Sequence, residues 1–599
     1  MRLTRWIFFS YMLVVAVVLA GIVAPFALGR RDRHRDPNTL YVAYASNIRG
    51  LDPAAINDTT SSSVAGNIFE CLYNYRYGVR PYELFPQVAA EMPRISPDGK
   101  VWTIPLRRGI RFYDPLKEVW PDGVGPEVTA RDYIYSWKRI ANFHLGNTAN
   151  YSAIFQGRIA GLDDWWAYTK SCPGTGAIDW DRPVEGLKAL DDFTIQITLT
   201  RPYPQLIYNL AHLPTAAVSR QAVEKLGDRI RQRPIGTGPY VLVEHLEEQR
   251  IVFEANPIYR GRPDVDGCAA VPAAERLPRI RRIQVEYFAE DVPRWLRFRQ
   301  GLLDISGIPR EAYNQAISIR SGDLTEQMKA DGVVLEKSPE PTVWYVGFNM
   351  LDPVVGKNKP LRQAMSMAFD RERFIRVYEN GRGIPAKGPI PPGFPTYDAE
   401  AVNPYARFDL EAARRKMDEA RAVHGGAIPP LTLLMPGTET SARQMAEFFI
   451  AQMARIGLTV KPEFRTWARF QEMVDDKQAQ MFMLGWVADY PDEQTFLQLF
   501  YGGNTDRGGV NSANYVNPEY DAIYEQAVAM NPSPQRDALY RRLARIVEED
   551  CPWIFTFHSV EYVLYYNWIG NLKTMDYGNG MRMYLTLDGE ARRRWMERR

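Results

Sequence analysis

Residues 431–489 read LTLLMPGTETSARQMAEFFIAQMARIGLTVKPEFRTWARFQEMVDDKQAQMFMLGWVAD. Short apolar runs at 431–436, 458–467 and 479–489 alternate with two stretches, 439–457 and 468–478, whose composition and periodicity are helical, the first ended by Gly457. That order predicts strand, helix, strand, helix, strand. Crossovers of this kind build a parallel sheet, and ligands collect beyond the carboxyl ends of its strands. Asp489 stands just beyond such an end, between Trp486 and Tyr490. It is therefore a candidate ligand contact, with a turn or helix-cap role, which Asp492 could equally serve, as the alternative.

Around this unit the chain is long. At 599 residues it exceeds one hydrophobic core and should divide into two to four domains. Its 12% aromatic content suits cores and also pockets walled by flat rings. Residues 1–36 hold six Arg and two Asp, which leaves the remainder of the chain slightly acidic despite a formal net charge of +2. With no basic stripe, nucleic acid is not an expected partner.

From Trp6 to Gly29 no residue is charged, a length that suits a bilayer-spanning anchor better than a cleavable signal core. We expect an N-terminal transmembrane helix, with cleavage near Gly29 and release to the periplasm as the alternative. The Arg-rich flank after it opposes export by the positive-inside tendency, yet the body reads as exported.

Four Cys are widely spaced and form no C-x-x-C pair. Cys172 and Cys268 lie in Gly/Pro-marked loops where a disulfide would be useful, whereas Cys71 and Cys551 have apolar neighbours and suit buried thiols. The six His are scattered, and H-E-x-x-H and G-x-S-x-G are absent. Gly236 and Gly238 lack both the Lys-Ser/Thr of a phosphate loop and a following helix, so they read as a structural turn. No enzyme, metal or cofactor is expected.

In the earlier half, TLYVAYASN reads as a strand and TARDYIYSWKRIAN as a helix capped by Thr129 with Tyr133, Trp137 and Ile140 on one face. Residues 142–186 are polar and turn-rich and read as an insertion.

Taken in order, GLDPA (50–54), PDGKVWTIPLRRGIRF (97–112), TARDYIYSW (129–137), GLKALDDFTIQITL (186–199), IGTGPYVL (235–242), KPLRQAMSMAFDRERFI (359–375), FDLEAARRKMDEA (408–420), GWVADYPDEQTFLQLFYGGN (485–504) and NPEYDAIYEQA (517–527) resemble the dipeptide and oligopeptide-binding family of extracytoplasmic solute-binding proteins of ATP-driven importers. The resemblance implies an α/β, two-lobed periplasmic-binding-protein fold with three domains around a hinged central cleft. On it we expect residues 1–36 as signal anchor and basic flank, 37–60, 185–288 and 559–599 as domain I, and 61–184 as domain II of the first lobe. Residues 289–558 would form the second lobe.

The resemblance also implies that an extended peptide lies between the lobes and extends a strand on each side. The matching segments are Asn47 and Ile48 on one side and Trp486, Val487 and Ala488 on the other, with Asp489 holding the ligand's α-amine and Tyr490 beside it. Trp344 and Tyr345 resemble a cleft-lining strand. Oligopeptide ligand, importer permease and membrane are the implied partners of a monomer. The rivals are a metal chelate, an oligosaccharide or a cell-wall peptide in the same cleft, or an anchored ligand sensor.

Overall fold

The computed structural model describes residues 35–598, apart from 46, 47, 49, 57, 146, 147, 262–276 and 508. The expected anchor, Asn47 and Cys268 lie outside the described residues. Among the described residues no helix is long and apolar enough to cross a membrane.

The two ends of the chain share one core. The strand Thr39–Tyr44 runs parallel to Arg282–Tyr287, which pairs antiparallel with Arg250–Ala255, itself antiparallel to Tyr240–Leu246. The last helix, Gly589–Glu597, fastens this sheet through Arg592. Both Arg592 and Asp304 have fully buried side chains, 3.1 Å apart. Arg592 donates to the Thr39 carbonyl at 2.7 Å, while Asp304 accepts from the Tyr41 amide and the Trp568 indole. Two charges removed from water are tolerable only as an ion pair of this kind with hydrogen bonds to its surroundings, and so the pair fixes where the last helix must sit.

A second core gathers around Trp102, Tyr133, Trp137 and Trp165. Its sheet runs Arg94–Ile95, Val101–Pro105, Thr194–Thr198, Leu187–Asp191. The helix Ala130–Ile140 begins where the Thr129 amide donates to the Asp132 carboxylate at 2.8 Å, and Tyr133, Trp137 and Ile140 are buried together as their spacing predicts. The 236–238 turn is structural, since a Cβ on either glycine would strike the Ile68 carbonyl.

Three expectations are corrected by this packing. Residues 142–186 are no polar insertion: Tyr151, Ile154, Phe155, Ile159, Leu162 and Trp165 belong to the second core. The strands at 187–198, assigned by sequence to domain I, pair in the second core's sheet, and Leu206, Leu226 and Ile235 join that core while Leu213, Ala216 and Val218 join the first. Trp295, Phe298, Leu303, Tyr313, Met328 and Val333, assigned to the second lobe, pack with Leu40 and Val42 in the first. In each case an apolar residue buries against whichever sheet lies nearest in space, and sequence position does not reveal that.

The remaining unit is a mixed sheet coated on both faces. Leu431–Pro436 lies parallel to Val460–Arg465 and Met481–Val487, with helices Thr440–Ala454 and Trp467–Asp475 as the crossovers, so the quoted stretch folds as its periodicity predicts. Thr342–Phe348 then adds antiparallel to Met481–Val487. Its residues alternate, Val343 and Tyr345 facing one core, Val346 and Phe348 the other. The 14-residue strand Trp553–Tyr566 serves both lobes: its first part pairs with Thr342–Phe348 and its last part with Val333–Pro339. The chain thus crosses between lobes near 339–341 and again near 558–560.

Candidate functional site

Met481–Val487 has one fully paired edge, from Phe348↔Met481 to Thr342↔Val487. Its other edge meets Leu431–Pro436 only at Leu433↔Met481 and Leu434↔Phe482. From Met483 to Val487 that edge has no strand partner among the described residues. Open backbone donors and acceptors at a sheet edge are a template for an extended chain.

Side chains close this edge from above. Gly485 stands opposite Trp344, and a Cβ there would come 2.7 Å from the indole ring, so only glycine lets Trp344 lie flat across the strand. Trp344 remains 40% exposed, stacked on Phe557 at 5.9 Å and fixed by its Nε1–H to Ser559 Oγ at 3.0 Å. Val487 is 62% exposed. Trp486 is half-buried, and its indole donates to Thr495 Oγ1 at 3.3 Å. The Asp489 amide also donates to Thr495 Oγ1 at 3.3 Å, so one buried hydroxyl sets both neighbours.

Ala488 is buried and its backbone is already committed, the amide to the Pro341 carbonyl at 2.9 Å and the carbonyl to the Tyr577 hydroxyl at 3.2 Å. It positions the site but has no backbone group left for a ligand ladder. Tyr345 departs from expectation more fully: it is buried and stacked on Trp553 at 3.4 Å, in the core beneath the strand. The alternation that turns Trp344 outward turns Tyr345 inward. Ile48 is half-buried against the first core.

Solvent reaches the Asp489 side chain, while the surrounding walls displace much of its hydration, and this desolvation raises its carboxyl pKa to about 6. No cation pairs with it among the described residues. Asp492 holds the structural role instead: buried, it pairs with Arg536 at 2.7 Å, accepts from the Tyr540 hydroxyl at 3.3 Å and caps the Gln494 amide at 3.0 Å. With that role filled three residues on, Asp489 is left as a carboxylate without a structural partner among the described residues.

The first lobe supplies groups that no local sequence signal marks. Tyr208 stacks parallel on Tyr490, with centroids 5.4 Å apart. Tyr577, held edge-on by Tyr82 at 4.8 Å, reaches the Ala488 carbonyl beside Asp489. At the crossing strands, burial and then repulsion from Glu340 and Asp576 raise Glu561 to about 7. The Arg80 guanidinium binds Asp576 at 3.1 Å and Ser338 Oγ at 3.0 Å, joining the second core to one crossing strand. Tyr208, Tyr577 and Arg80 meet partners from about 90 to about 500 residues away in sequence, and only the fold brings them together.

Cys551 is buried, its pKa pushed up to about 11, and Cys71 is buried beside Asn579. Burial lowers His212 and His558 to about 4. Among the described residues no three His, Cys, Asp or Glu form a metal-holding group.

Residues 83–508 match the model for bacterial extracellular solute-binding proteins, family 5 (middle region). The chain is 26% identical over 579 residues to the periplasmic oligopeptide-binding protein OppA of Salmonella typhimurium, covering 94% of this chain and 96% of that one. It is 25% identical over 534 residues to heme-binding protein A of Haemophilus influenzae, covering 87% of each. Among solved structures, HbpA2 from Haemophilus parasuis superimposes with a TM-score of 0.74 at 21% identity, over 92% of this chain and all of that one.

Proposed function

The chain belongs to the bacterial extracellular solute-binding proteins, family 5, and from that premise we propose that its cleft captures oligopeptides by their free amino terminus and delivers them to an ABC-type importer. The observation that carries this reading is Asp489: an accessible carboxylate without a cation, its pKa raised to about 6, beside a strand edge left open from Met483 to Val487. An ammonium group relieves such a carboxylate, and an extended backbone completes such an edge. Gly485 to Val487 are the ladder residues in this reading, with Trp344 and Trp486 as walls and Tyr490 positioning the lobe contact. Asn47 and Ile48 supply the facing side.

The two lobes close over the ligand by bending at the crossings near 339–341 and 558–560, and only the closed form presents both lobes to the permease. The uncharged run from Trp6 to Gly29 holds the protein, a monomer, on the outer side of the cytoplasmic membrane. The test is calorimetry with one tetrapeptide in free and N-acetylated forms. Free peptide should bind at least tenfold more tightly. Equal affinities would end the amine-capture reading, and native mass spectrometry finding only sugars or chelates on the purified protein would move the ligand to another class.

A further inference from the structure

A cavity of 770 Å³ is lined by first-lobe residues and not by Asp489 or its neighbours. It opens on the first lobe where the described chain begins, and Arg35, Arg250, Glu286, Phe288, Leu296 and Arg297 line it. Arg35 and Arg297 both pair with Glu286, at 2.6 and 3.3 Å, and Arg250 is paired with Glu244 at 2.8 Å. Glu290 and Asp291 stand beside it, Asp291 paired with Arg294. The helix Asp291–Arg299 buries Trp295 and Phe298 beneath and turns Val292 and Leu296, each 54% exposed, outward at a four-residue spacing. Half-buried Tyr44 and Tyr287, with ring centroids 5.3 Å apart, and Phe288 continue the patch.

We infer that this face of the first lobe lies on the phospholipid surface of the membrane, with Val292 and Leu296 in the interfacial layer and the Arg250 guanidinium at the level of the phosphates. The inference rests on the anchored reading. Six residues separate Gly29, the end of the uncharged run, from Arg35 on this face, and an extended chain spans no more than about 20 Å over that distance. Whatever surface surrounds Arg35 is thereby held at the bilayer. Among the surfaces such a short tether could present, this one carries what an interfacial helix needs: outward apolar residues at helical spacing, aromatic neighbours, and Arg at the rim. Arg250, 45% exposed and paired with Glu244, presents its guanidinium to phosphate oxygens at that rim, while Arg35, its side chain 10% exposed and bonded to Glu286 and the Leu302 carbonyl, fastens the start of the described chain to this face.

The experiment uses the full chain in vesicles of phosphatidylethanolamine and phosphatidylglycerol. A fluorophore is placed by Val292→Cys or Leu296→Cys, with Val423→Cys as a control that is 58% exposed on the second lobe; labelling of the native chain is subtracted as background. Lipids brominated near the headgroup should quench emission at 292 and 296 and leave 423 bright. Equal emission at all three positions, with the chain still resisting alkaline extraction, would overturn the inference while the anchor stands. Release of the chain by alkali would overturn the anchor and the inference together.

Discussion

The perturbation that bears most directly on the site is Asp489→Asn, read against pH. In the ligand-free protein this carboxyl titrates at about 6, raised from the ordinary 3.8 by loss of hydration. The folded protein therefore holds the proton more tightly than the unfolded chain does, and the ionised form is a burden on the folded state above pH 6. Binding an ammonium reverses the preference, since only the ionised carboxylate pairs with it. Affinity should thus be full above pH 7 and decline as pH falls through 6. By pH 5 only about a tenth of the sites are ionised, so Kd should rise roughly tenfold.

The Asn variant keeps the shape and loses the charge. At pH 7.5 it should bind a free-amine peptide about ten- to hundredfold more weakly, the equivalent of ~1.5–3 kcal/mol for a charge-assisted bond. Its Kd should also lack the step near pH 6. Glu561 and Glu340 titrate from raised positions at the crossing strands, so the informative quantity is the difference between native and variant profiles. Without ligand, the variant should melt no lower than the native protein at pH 7.5, because the uncompensated charge is gone. Titration calorimetry from pH 4.5 to 8 gives the first two results and scanning calorimetry the third. Parallel pH profiles for native and variant would refute the reasoning, as would a large drop in the variant's melting temperature.

Three further outcomes follow from the geometry. Gly485→Ala drives a methyl group to within 2.7 Å of the Trp344 ring; the ring should lift from the strand, changing its fluorescence and weakening ligand binding while overpacking costs ~1–3 kcal/mol in a denaturant titration. Arg592→Met leaves Asp304 buried without its cation, which should destabilise the first lobe by about 3–5 kcal/mol, and adding Asp304→Asn should restore part of the loss in the same titration. Saturating peptide at 100 times Kd should stabilise the fold by roughly 2.7 kcal/mol and reduce the radius of gyration in solution scattering, whereas stabilisation without compaction would place the ligand outside the cleft.

What could be read from the sequence divides along a physical line. The 431–489 unit was legible because strand and crossover helix each carry their own periodicity, and the position of Asp489 beyond a strand end follows from that alone. Trp344 and Tyr345 were not separable: both are aromatic, adjacent and in a strand, and only the face on which the cores lie decides that the first stays exposed against Phe557 and the second stacks on Trp553. The boundaries at 184 and 289 failed for a related reason. Apolar alternation says that a strand has a buried face but not which of two cores receives it, and residues 187–198 and 295–333 pack against sheets other than those expected. Tyr208, Tyr577 and Arg80 were invisible because their importance comes from contacts across some 280, 90 and 500 residues, to Tyr490, Ala488 and Asp576 respectively.

The arrangement around Asp489 also bears on how a cleft of this kind avoids closing on nothing. On the proposed reading, Tyr577 and the Tyr208–Tyr490 stack, which already meet the strand end in this structure, hold the lobes together there and strip water from the carboxylate. Its pKa is raised in the direction that such a loss gives. Without a cation the site must then either enclose a charge or take up a proton, and near neutral pH both are unfavourable. A peptide amine removes the penalty and adds backbone bonds along the open edge, so closure becomes favourable only when the ligand is present. Asp492 shows the contrast within the same loop: its charge is matched permanently by Arg536, so it holds the loop in place and leaves closure unaffected. A carboxylate supplied with its own arginine would give a more stable protein and a poorer receptor, and for that reason the proposed reading couples ligand and lobe closure through Asp489, which has no cation among the described residues, rather than through any of the better-satisfied acids nearby.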